Sequence, residues 1–181
     1  MKKFINIFLV LGIIILGVLF VVPKDKSAWP GPAKPNLENL VTIYVTDTTD
    51  SGMEGSLRYA MEYPGPRRII PEISGTIKLN SDINIQDSMM YYDGGVGPAP
   101  GLTVTGGSIC IEAHDIVIEY LHICRENVQN GNDGPGIELL QGCEDVVISH
   151  CSISLGKNEA LLMNTTTFSN CVIFQGLSDK K

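Results

Sequence analysis

Apolar and polar residues alternate along most of this chain in bursts of three to five positions. The bursts fall at 42–46, 76–79, 83–85, 102–104, 109–111, 116–118, 121–123, 137–139, 146–148 and 151–153, and they are rich in Ile, Val and Thr. A period of two with β-branched residues predicts strands. One segment differs. Ser56 can cap a helix over 57–63, which Pro64-Gly65-Pro66 then stops. The predicted strands are too short and too close together for helical crossovers, which need a dozen or more residues. Hairpin turns are also missing: Asn130-Gly131 lies inside a polar loop rather than between two alternating runs.

Internal repetition points instead to a solenoid. Residues 116–123 (Ile-Val-Ile-Glu-Tyr-Leu-His-Ile) superpose on 146–153 (Val-Val-Ile-Ser-His-Cys-Ser-Ile) at a spacing of 30. Residues 167–173 fit again, with Cys171 set 20 positions after Cys151, so that Leu121, Cys151 and Cys171 are predicted to stack in one inward column. Repeats of 20 to 30 residues with ragged loops suit the coils of a parallel β-helix, in which each coil buries its face against its neighbours.

The N-terminus is of another kind. Lys2 and Lys3 precede nineteen residues, 4–22, in which Asn6 is the only strongly polar one, and Pro23, Lys24, Asp25 and Lys26 end the run. As a helix such a run rises about 28 Å, near the roughly 30 Å of a bilayer core. Residues 1–28 thus read as a signal peptide or an N-terminal membrane anchor, and either one exports the rest of the chain. Residues 29–36 hold three Pro and form an extended linker. The β-helix domain is expected over 37–181.

Composition narrows the partners. Twenty acidic against 13 basic residues leave the 181-residue chain at −7, with no basic run, which excludes an ordinary nucleic-acid binder. Five Cys cannot all pair within one chain. Cys110, Cys124, Cys143, Cys151 and Cys171 read either as small apolar side chains or, for Cys151 and Cys171 on adjacent coils, as a bridge.

The stretch 46–60 (Thr-Asp-Thr-Thr-Asp-Ser-Gly-Met-Glu-Gly-Ser-Leu-Arg-Tyr-Ala), then 65–70, 74–77, 99–101, 116–121, 146–154 and 156–161, resembles in order the pectate lyase C-like branch of polysaccharide lyase family 1. The resemblance covers roughly 41–177. It implies an all-β fold, a right-handed single-stranded parallel β-helix with one short N-terminal helix. It also implies cleavage of α-1,4-galacturonan by β-elimination, with calcium acidifying the C5 proton and an Arg removing it.

The chain departs from the family at those positions. The Trp-Ile-Asp-His motif reads Val147-Ile148-Ser149-His150, keeping His150 and losing the Asp to Ser149. The acidic pair four apart falls on Asn158 and Leu162, and a third ligand position falls near Pro135. Asp133, Glu138 and Glu159 are the acids nearby, either calcium ligands or solvated carboxylates; His150 is either a proton carrier or a structural residue inside an apolar coil. Arg58, Arg67, Arg68 and Arg125 match no base position, and the catalytic Arg is expected beyond Lys181. Three readings are open: a truncated or degenerate homologue with little or no lyase activity and at most weak binding of uronate polysaccharide; a calcium-dependent pectate lyase; or a structural β-helix that docks a partner at its open C-terminal coil. In each the protein is secreted or at the cell surface.

Overall fold

The structure, a computed structural model, describes residues 39–125, 134–154, 161–163 and 172–173. All of them lie in the second of two compact units, Pro32–Lys181. Three short strands make up each coil. The chain enters on β1 (Val41–Val45). After it come β2 (Arg67–Pro71), β3 (Gly75–Lys78) and β4 (Ile83–Ile85), then β5 (Met90–Asp93), β6 (Leu102–Thr105) and β7 (Ile109–Ile111). Next are β8 (His114–Glu119), β9 (His122–Cys124) and β10 (Ile137–Leu139), then β11 (Glu144–Ser149), β12 (Ser152–Ser154) and β13 (Leu161–Met163), and finally β14 (Val172–Ile173).

Stacking these coils makes three sheets, parallel throughout. Sheet I runs β1-β2-β5-β8-β11-β14, sheet II β3-β6-β9-β12 and sheet III β4-β7-β10-β13. The predicted β-solenoid is thus what the chain forms. Ile43, Ile69, Tyr92, Ile118, Ile148 and Ile173 share one register column of sheet I, 26, 23, 26, 30 and 25 residues apart. Sheet II contributes Ile77, Val104 and Ile123, and sheet III contributes Ile83, Ile109 and Ile137 and, two residues on, Ile85, Ile111 and Leu139. These side chains of sheets II and III are buried in the lumen. Burying one Ile fully is worth about 2 kcal/mol, so the columns supply the cohesion that no single three-residue strand has.

Helix α1 (Leu57–Met61) forms where predicted. Ser56 caps it, its Oγ accepting from the Tyr59 N–H at 3.3 Å, and Leu57, Ala60 and Met61 are buried. Three strands escaped the sequence reading, β2, β5 and β13. The repeat at 116–123 and 146–153 holds residue for residue, with Val146, Val147 and Ile148 paired to Ile116, Val117 and Ile118. The next repeat does not hold as read. Val172 and Ile173 pair with Val147 and Ile148, so the spacing is 25, where a spacing of 20 was needed to set Cys171 on Cys151. That register removes the basis for the Leu121–Cys151–Cys171 column and for a Cys151–Cys171 bridge; Cys171 itself lies outside the described residues. Leu121 and Cys151 do stack inward, linked by the Ser152 N–H donating to the Leu121 carbonyl at 3.1 Å. Cys110, Cys124 and Cys151 are free thiols.

Candidate functional site

Two groups of residues matter for the chemistry implied by the resemblance. The first lies on sheet III. Asn84, Cys110, Glu138 and Leu162 are register partners on four successive strands. On β4, β7 and β10 the residues flanking this row, such as Ile109 and Ile111, are buried in the lumen, so Asn84, Cys110 and Glu138 belong to the outer face. The Cys110 thiol lies 3.9 Å from Glu138 Oε2. Burial first, and then the negative charges of Asp82 and Glu138, push that thiol up to about 11. It stays protonated near neutral pH and is no thiolate ligand. The row therefore offers calcium one carboxylate, where the ion takes six to eight oxygens. Among the described residues no group of three or more His, Cys, Asp or Glu could hold a metal ion. Asp133, Asn158 and Glu159 lie outside the described residues, and calcium does not fit the donors that are described.

The second group surrounds Ser149 and His150. Asp93, Glu119 and Ser149 are register partners at the C-terminal ends of β5, β8 and β11. Ser149 is buried, and its Oγ donates to Glu119 Oε1 at 3.0 Å, while Tyr91 Oη donates to Glu119 Oε2 at 2.7 Å. Asp93 accepts from Arg68 Nη2 at 2.6 Å. Tyr91, Val117 and Val147 form a second apolar cluster, with Leu40 packed on it. Glu119 and Tyr91 are the residues that sequence reasoning missed. The signal was there, because the 30-residue superposition sets Glu119 against Ser149.

His150 corrects an expectation. It is exposed at a corner instead of lying inside an apolar coil, with φ at 54°, and it stacks on Tyr120 at 4.6 Å and 15° between planes. Tyr120 holds the same place one coil earlier with φ at 58°. One left-handed residue turns the chain from sheet I to sheet II in both coils. Gly95 sits under the same column, where a Cβ would come within 2.9 Å of the Tyr120 ring.

This network yields a testable outcome. Ser149→Asp sets a second carboxylate against Glu119 in a buried position, and is expected to destabilise the fold by about 1–3 kcal/mol at neutral pH. Adding Glu119→Gln should recover most of the loss. Urea midpoints of the two variants check it, and equal loss in both would refute the coupling.

The four candidate arginines are all engaged. Arg58 makes a two-pronged pair with Asp50, at 2.7 and 2.9 Å, and donates to the carbonyls of Ser81 and Asp82. Arg67, fully buried, donates to the carbonyls of Ala60, Met61, Gly65 and Asp87. Arg68 holds Asp93 and lies 5.9 Å over the Tyr91 ring. Arg125 is buried and ties two coils together through the carbonyls of Gly106 and Gly134. None is presented as a base.

A probable pectate lyase C of Aspergillus oryzae is 31% identical over 143 residues, 76% of this chain and 33% of its own length. A probable pectate lyase C of Aspergillus flavus is 29% identical over 141 residues, 75% of this chain and 32% of its own length. The chain is a pectate lyase-like β-helix. No family model matches it. This pectate lyase-like chain spans about a third of the length of the curated relatives it matches. The likeness in sequence and the stacked parallel sheets agree.

Proposed function

We propose that the chain is an exported, pectate lyase-like β-helix with little or no lyase activity, and at most weak binding of a uronate polysaccharide. The observation that carries this reading is the sheet III row, with Cys110 and Leu162 on either side of the single carboxylate Glu138. Without clustered carboxylates there is no calcium cage, and without calcium the C5 proton of a galacturonate stays weakly acidic. The engaged arginines support the same conclusion. The test is the ultraviolet absorbance of unsaturated uronate released from polygalacturonate, with calcium and with chelator. Retention on a polygalacturonate column, run in parallel, reports the weak binding.

Export rests on the run at 4–22 behind Lys2 and Lys3, which lies outside the described residues. Among the described residues no helix is long and apolar enough to cross a membrane. A reporter fused after Pro35 is expected to appear outside the cytoplasm. A fully cytoplasmic reporter would refute export.

A further inference from the structure

The N-terminal edge of the solenoid holds an open strand beside a groove. β1 ends sheet I and, among the described residues, pairs on one side only. Val41 N–H donates to the Pro66 carbonyl at 3.1 Å, and the Val45 carbonyl accepts from Glu72 N–H at 2.9 Å. The odd-numbered residues of β1 therefore direct their backbone groups at β2. In a parallel ladder the alternate residues face the other way. By the same alternation the N–H and C=O of Thr42 and Tyr44 point out from the open edge.

A groove of about 330 Å³ runs along this edge, walled by Tyr59 and Tyr63 of α1 and its C-terminal extension and by Glu54 and Gly55. The two rings meet edge to face at 5.7 Å. Tyr44 is 48% exposed and Val41 49%. We infer that this edge takes up an extended peptide strand of another protein, one alternating apolar and polar residues and carrying a basic side chain opposite Glu54. Strand addition needs a row of unpaired backbone donors and acceptors, which the Thr42–Tyr44 edge supplies, and flanking pockets for alternate side chains, which the tyrosines supply. Charge chooses the basic residue: among the described residues Glu54 is the only charged group lining the groove, on a chain of net charge −7. A glycan would leave the strand's amide row unmatched.

The test uses the intact chain, isotope-labelled, and the capped hexapeptide Val-Thr-Val-Lys-Val-Thr. Hydrogen exchange of the Thr42 and Tyr44 amides is expected to slow about tenfold or more at saturating peptide. Tyr44→Pro removes one edge donor where proline is tolerated, and should abolish the effect with the circular dichroism unchanged. Glu54→Gln should weaken binding of the Lys peptide about two- to fivefold and leave a norleucine-substituted peptide unaffected. That comparison stands even if Tyr44→Pro fails to fold. Three results would overturn the inference: both amides already protected without peptide, no change on adding peptide, or slowing by cellohexaose in place of peptide.

Discussion

The intact chain, incubated with polygalacturonate and calcium, is expected to release no unsaturated uronate, and chelator is expected to change nothing. The reaction removes a proton from carbon next to a carboxylate. A bound metal supplies several kcal/mol to that step by drawing charge from the carboxylate, which is three or more orders of magnitude in rate. The sheet III row cannot hold the ion, because its neighbours to Glu138 are a protonated thiol and a leucine position. Restoring carboxylates with Cys110→Asp and Leu162→Asp places three acids on adjacent strands about 4.8 Å apart. Calcium binding, read by calorimetry, is expected to appear in that variant while turnover stays absent. Each of the four arginines considered is already spent on a carbonyl or a carboxylate. Calcium-dependent growth of the product signal with the unaltered chain would reverse the proposal and make it a working lyase.

Arg67→Met is expected to be the most damaging single substitution for the fold. Its guanidinium satisfies four carbonyls, two of them, Ala60 and Met61, at the C-terminal end of α1, where a helix leaves its acceptors unpaired. Burial is so complete that it lowers this guanidinium to about 10. Methionine fills the volume but leaves the acceptors stranded without water. The expected loss is about 3–5 kcal/mol, in the range for breaking a buried charged network by removing one member. Arg67→Lys, with fewer donors and no planar fork, should fall between. Urea unfolding monitored by circular dichroism measures both, and a loss under about 1 kcal/mol for Arg67→Met would show that α1 does not depend on it.

The same two regions explain what the residues disclosed and what they hid. Strands β4, β7 and β10 were read to the residue, because in each an Ile or Leu at either end faces the lumen and flanks a middle residue on the outer face. β5 broke that rule. All four of its residues are buried, since Tyr91 and Asp93 are covered on the outer face of sheet I, so the alternation that signals a strand vanished. β2 was hidden by its charge: Arg67-Arg68 after Gly65-Pro66 reads as a turn, although Arg67 points into the molecule. The repeat at spacing 30 was legible because the corner between the two strands is equally tight in both coils. The following repeat slipped by five positions, for Cys171 matched Cys151 by type while the ladder set Val172 on Val147. His150 was misplaced for a related reason. Apolar neighbours suggested an interior, and only backbone with φ at 54° turns it outward. Of the metal candidates, the pairing of Glu138 with Cys110 and Leu162 is a property of three distant segments, invisible until the coils are stacked.

The tight corner at Tyr120 and His150 also says where such a chain is free to change. Between sheets I and II in these coils there is no slack, because a ring on one coil rests on a ring of the next. Between sheets II and III the connection is four residues after β3 and twelve after β9, with no shift in the ladder on either side. At that side, length enters as rope let out from a spool while the winding stays true. A chain built on this plan can therefore lengthen its loops at that side one coil at a time, each without disturbing the ladder of the others.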